Sequence, residues 1–186
     1  MINVLFRLLL TFNATSLLVA IFLIQKKFSI SHFLSGSHRF REIVALPDIV
    51  SYLLYLLLPV LLTWVSVLLS GCLGKDSFKK GQIESIEYAN NSFLPSYLGY
   101  FFVALSVADW ETLRFVYGML FIFTFLSQAL YFNPLFLLFG YEFYNVKTRH
   151  GVTLFLISYK KYKKPGDIDI DKVFRINNYT FIERRT

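Results

Sequence analysis

Charged side chains make up only 17% of the 186 residues, against about 25% in ordinary soluble domains. The shortage is unevenly spread. No charge falls between Leu8 and Gln25, Ile49 and Gly74, Tyr88 and Ala108, or Phe115 and Tyr141, gaps of 18, 26, 21 and 27 residues that fill half the chain. A helix needs about 20 mostly apolar residues to cross the hydrocarbon core of a bilayer. One soluble core of this size could not hide four such runs. Cysteine is also scarce: Cys72 stands alone, which excludes an intrachain disulfide and a Cys-based zinc cluster. Catalytic signatures are missing too. The sequence has no P-loop, G-x-S-x-G elbow, H-E-x-x-H or Gly-rich dinucleotide fingerprint. No enzyme activity, cofactor or metal is expected.

The composition predicts an α-helical polytopic membrane protein, with four transmembrane helices followed by a small antiparallel β tail in the cytoplasm. The spans are expected at about 5–25, 49–73, 93–108 and 113–133. The helical domain then covers 1–140 and the β-rich tail 141–186. In the first span Asn3, Arg7, Thr11 and Thr15 recur every fourth residue, one polar stripe that in lipid turns toward other helices or water. The second carries Pro59 near its middle and the small residues Ser66, Ser70, Gly71 and Gly74 toward its end, a pattern suited to close helix packing. The loop that follows, Lys75 to Asn91, is polar. The third span starts on Pro95 and ends on Asp109-Trp110-Glu111, so it forms a helical hairpin with the fourth. The fourth carries Thr124, Ser127, Gln128 and Tyr131 at i, i+3, i+4 and i+7, a second polar face.

Asn133-Pro134 breaks that helix. Asn133 is placed to cap a short following helix, with Pro134 at its start and Gly140 beyond its end. Strands are expected at Glu142–Thr148 and Gly151–Tyr159 around an Arg149-His150-Gly151 turn. Val152 to Ile157 is apolar on both faces and should lie centrally. A third strand is expected at Val173–Glu183, interrupted or bulged at Asn177-Asn178. Such a sheet is too small to be secure alone.

Ten of the nineteen Lys and Arg follow Gly140, so the positive-inside rule puts both termini in the cytoplasm. Neither His32 with His38 nor the alternating Asp167, Asp169 and Asp171 has the spacing of a metal or calcium site. The strip Lys160-Lys161-Tyr162-Lys163-Lys164 beside a bilayer reads as a topology signal or a contact with anionic membrane lipids. Direct nucleic-acid binding is not expected.

The stretch from Asn133 to Thr148, NPLFLLFGYEFYNVKT, with Gly151 to Ser158, GVTLFLIS, following, resembles the KwaA family, the membrane subunits of the two-component Kiwa anti-phage defence system of bacteria. The resemblance implies an inner-membrane homo-oligomer, a tetramer, that senses phage attack at the envelope. It also implies a soluble cytoplasmic partner of the KwaB type that acts on phage DNA. Tyr141, Phe143, Tyr144, Val146, Lys160, Lys161, Lys163 and Lys164 are the candidate docking residues of the tail. Arg7, Thr11, Thr15, Thr124, Ser127 and Gln128 are the candidates facing other protomers or a pore. The competing reading is a small oligomeric channel or transporter subunit.

Overall fold

The computed structural model describes residues 2–30, 47–127 and 133–185. Helix α1 covers Ile2–Gln25, α2 Asp48–Leu69, α3 Leu94–Ser106, α4 Trp110–Ser127 and α5 Leu135–Leu138. The strands are β1 Gly74–Phe78, β2 Ile83–Tyr88, β3 Glu142–Thr148, β4 Thr153–Ser158, β5 Ile170–Arg175 and β6 Thr180–Ile182. Helices therefore form in the four charge-poor runs, yet the four-span expectation does not hold. Among the described residues only α1 and α2 are long and apolar enough to cross a membrane. The reason is length and charge. The 13 residues of α3 rise only about 20 Å, short of a hydrocarbon core of about 30 Å, and α4 opens on Glu111 and Arg114.

The β region differs as well. It is a mixed six-stranded sheet in the order β1-β5-β6-β4-β3-β2, not a small antiparallel tail. The polar 75–91 segment supplies both edge strands: β1 pairs with β5 and β2 with β3. The expected third tail strand is two strands, with Asn177 Oδ1 accepting from the backbone N–H of Tyr179 and Thr180 at 2.8 Å to form a turn between them. β6 then lies parallel to β4 while its other neighbour is antiparallel. β4 is central, and Phe155 to Ser158 are buried.

The edge strands reveal the sheet's shape. Residues 79–82 join β1 to β2, and such a link reaches at most about 17 Å. A flat sheet would hold its first and sixth strands about 24 Å apart. The sheet must therefore curl until its edges approach. Inside the curl Phe78, Ile83, Tyr144, Val146, Leu156, Val173 and Phe181 form one apolar core. The outer face, through Phe143, Phe155, Ile157 and Ile182, packs on Phe6 and Leu10 of α1, Leu73 and Phe136. The sheet thus caps one end of the helical layer. At the other end Leu18 and Phe22 meet Ala104, Val107 and Leu113, and Trp110 stands edge-on to Phe22 at 5.1 Å. Helix α1 is the hub, touching α2, α3 and α4.

Candidate functional site: polar networks in the helices and on the sheet

The helical layer keeps its polar groups inside. Asn13, Thr63 and Asn133 are 1%, 0% and 2% exposed and meet from three parts of the chain. Asn133 Nδ2 donates to Thr63 Oγ1 at 3.0 Å, and Thr63 Oγ1 donates to the Pro59 carbonyl at 2.8 Å. With its amide turned to face its donors correctly, Asn13 Oδ1 accepts from Asn133 Nδ2 at 3.0 Å and from the Thr63 backbone N–H at 3.2 Å, while Nδ2 donates to the Pro59 carbonyl at 3.0 Å. Proline weakens the hydrogen-bond ladder of α2, and the Asn13 amide braces that point. Asn133 also caps the next helix, its Oδ1 accepting from Leu135 N–H at 3.0 Å. One cluster therefore ties α1, α2 and the connector into the sheet.

Arg7, Thr11 and Thr15 face the other helices. Arg7 Nη2 donates to the Phe125 carbonyl at 3.2 Å and lies over the Phe125 ring. Thr11 donates to the Arg7 carbonyl at 2.9 Å, and Thr15 hydrogen-bonds with Tyr117 at 3.2 Å. Thr124 shares a hydrogen bond with Tyr100, and exposed Ser127 donates to the Thr124 carbonyl. Gln128 and Tyr131, like His32 and His38, lie outside the described residues.

On the sheet, the buried Glu183, 3% exposed, organises the basic strip. It accepts from Lys160 Nζ at 2.8 Å, Ser158 Oγ at 2.6 Å and Tyr162 Oη at 2.9 Å. The adjacent carboxylate raises the pKa of Lys160. Burial, then Glu183, pushes the Tyr162 phenol up, and burial, then Glu142, does the same to Tyr144. Lys161 lies 3.6 Å from Glu142. Lys163 and Lys164 project outward, and the Lys164 backbone N–H is held by Asp167 Oδ2 at 3.0 Å. The candidate docking residues thus divide. Tyr141, Phe143, Tyr144 and Val146 are buried and cannot present a surface, because both faces of β3 are covered, while the four lysines stay accessible. Ion pairs fasten the edges: Arg175 to Asp76 across β5–β1, Lys79 to Asp171 and Lys147 to Glu84 across β3–β2. The guanidinium of Arg175 lowers the Asp76 pKa.

Sequence reasoning missed Asn13, Thr63 and Glu183. Asn13 stands beside the Thr11–Thr15 stripe and with Ser16 widens it, a signal that was readable; Glu183 carried none. Among the described residues no group of three or more His, Cys, Asp or Glu could hold a metal ion. The family described as "Anti-phage protein KwaA" matches residues 6–182, nearly the whole chain. No curated protein and no solved structure matches.

Proposed function

The chain belongs to the KwaA family of anti-phage proteins, and from that premise we propose that it is a membrane-held sensor and scaffold, not an enzyme. Helices α1 and α2 cross the bacterial inner membrane as an antiparallel pair. The curled sheet and both termini lie on the cytoplasmic side. Copies of the chain associate in the membrane as a homo-oligomer, a tetramer, and the lysines of the sheet dock a soluble, KwaB-like effector.

The observation that carries this reading is the polarity of the helices. Asn13, Thr63 and Asn133 are buried while Leu53, Leu57, Leu61, Trp64 and Leu68 of α2 are exposed. Polar groups turned inward and a wide apolar face turned outward suit a lipid surround. The charge balance agrees, since Lys75, Lys79, Lys80 and the basic tail all belong to the sheet end. Membership of an anti-phage family supports a partner. Lys163 and Lys164, exposed beside the tethered Lys160 and Lys161, are two cations of the sheet open to an acidic surface.

Removing the tail would strip β1 and β2 of their strand partners, so the test changes surface charge alone. Lys163→Glu with Lys164→Glu should cut co-purification of the adjacent gene's soluble product about tenfold or more, through like-charge repulsion. Thermal unfolding of the same variant should be unchanged. Full recovery of the product would sink the docking assignment. Release of the full chain from membranes by alkaline carbonate would sink the membrane assignment.

A further inference from the structure

We propose that the pocket between the β1–β2 and β3–β4 turns receives an acidic segment of the soluble partner, one apolar side chain of that segment covering Phe78 and Ile83 and a neighbouring carboxylate pairing with Arg149. The proposal rests on the docking reading above and adds to it a place and a partner chemistry. Two turns build the pocket. In the first, Lys79 N–H donates to Gln82 Oε1 at 2.8 Å, and Gln82 N–H donates to the Lys79 carbonyl at 3.1 Å. In the second, Gly151 N–H donates to the Thr148 carbonyl at 2.9 Å. Arg149 N–H then donates to the Gln82 carbonyl at 3.0 Å and ties the two turns together. A rim fixed in this way loses little freedom when something binds.

Three observations select the occupant. The first is the lining. The buried Phe78 and Ile83 reach the pocket from the core, and Val152, 42% exposed, stands beside them. An apolar side chain placed there gains by covering that area, whereas the phosphates of a nucleic acid would gain nothing from it. The second is charge. Arg149 and His150 line the pocket and no carboxylate does. Elsewhere along the sheet Lys79, Lys147 and Arg175 are matched by Asp171, Glu84 and Asp76, but the Arg149 guanidinium has no ion-pair partner among the described residues. The third is place. None of the lining residues belongs to the cluster that joins the sheet to the helices, which points to an occupant from the aqueous side. Gly81, Gln82, Arg149 and His150 are exposed, so a small solute held between them would keep much of its area in water. A longer segment has more to reach. Lys163 and Lys164 precede the single turn Pro165–Asp167, which lies against β2. β2 starts at the pocket with Ile83 and is about 17 Å long, so one extended acidic segment of about eight residues reaches both.

The test uses the full chain in detergent and fluorescent peptides of about ten residues. One carries a single leucine among Asp and Glu, a second has serine in place of the leucine, and a third keeps the leucine but has lysine for every acid. The first should bind, the second about tenfold more weakly for want of one buried leucine, and the third not at all. Arg149→Glu should weaken the first about tenfold through like-charge repulsion, and Val152→Ser about threefold. Both positions are exposed, so thermal unfolding should be unchanged. The same two variants should lower co-purification of the adjacent gene's soluble product. Equal binding of the leucine and serine peptides, or no binding of the first at about 1 mM, would overturn the pocket. Recovery of the product that depends on Lys163 and Lys164 but not on Arg149 or Val152 would overturn it while leaving the docking reading standing. Recovery that depends on none of these positions would overturn both. Tighter binding of a single-stranded oligonucleotide or of octanoate, lost in Arg149→Glu, would overturn the peptide in favour of that ligand.

Discussion

Around Thr63 the chain turns amides and hydroxyls inward and leucines outward; around Val146 it does the opposite. In the helical layer the buried groups include Thr11, Asn13, Thr15, Ser16, Thr63 and Asn133, while the α2 surface is leucine-rich. In the sheet the enclosed residues are Val146, Leu156, Ile168 and Val173, and Lys79, Asp171, Lys147 and Glu84 stand outside in ion pairs. On the proposed membrane reading, each half follows the rule of a different solvent. Water rewards burial of apolar area, whereas lipid rewards only packing and the pairing of polar groups. The two rules meet at Phe6, Leu10, Phe136 and Phe143, where apolar groups from both halves pack together.

This contrast can be broken, and the largest test is in the sheet. Leu156→Asp places an unpaired charge in a fully enclosed position and should cost more than about 4 kcal/mol, read as loss of the folded sheet in limited proteolysis. A tolerated Asp there would mean that water reaches the curl. Next is the exposed face of α2. Leu61→Lys should leave the sheet's unfolding unchanged but weaken membrane insertion by about 3 kcal/mol, seen as a larger soluble fraction after fractionation. Unaltered insertion would remove the lipid side of the contrast.

Smaller effects sharpen it. Asn13→Leu should destabilise the helical layer by about 1 kcal/mol in detergent unfolding, the usual worth of an interhelical polar contact. A more stable variant would show that the polar interior contributes nothing to packing. The smallest concerns β1. Arg175 lowers the Asp76 pKa, so this pair's contribution is fully present above the ordinary carboxylate pKa and is lost as pH falls through the lowered folded value. Hydrogen exchange at β1 should thus be flat with respect to this pair from pH 7 to about pH 5, after correction for intrinsic rates, and rise only below about pH 4. As the pair is partly solvated, the change should be under about 1 kcal/mol. A rise already complete by pH 5 would refute it.

Local chemistry made much of this legible. The turn into α5 was readable: Asn133 Oδ1 accepts from Leu135 N–H at its start, and Gly140 takes φ +73° beyond its end, a left-handed conformation open to glycine; the expected end of the preceding helix falls outside the described residues. Gly151, in the β3–β4 turn, takes φ +79° in the same way. What escaped was non-local. Lys75 to Gln82 is charged and poor in strand formers, and β1 exists because β5, almost a hundred residues later, pairs with it. The spans failed for a related reason. An uncharged run counts residues, but a crossing requires helix: the run from Tyr88 spends its first residues on the end of β2 and a 3-10 turn before α3 begins at Leu94, and Asp109 then caps α4, accepting from Thr112 N–H at 2.8 Å. The docking residues on β3 read as a surface because nothing in the sequence reveals that the sheet curls over one face of the strand while α1 and α5 cover the other.

The placement of β1 and β2 also governs the order of events at the ribosome. Both edge strands leave the exit tunnel before any of their partners, since β3 begins at Glu142 and β6 ends at Ile182. They must wait, with unpaired edges, through the making of α3, α4 and α5. Long-range strand pairing of this kind is slow, and waiting edges invite mispairing. A nascent chain halted before residue 142 would carry its helices but no sheet. Only a nearly finished chain can close the sheet, so the assembly of this defence protein is checked by its own topology.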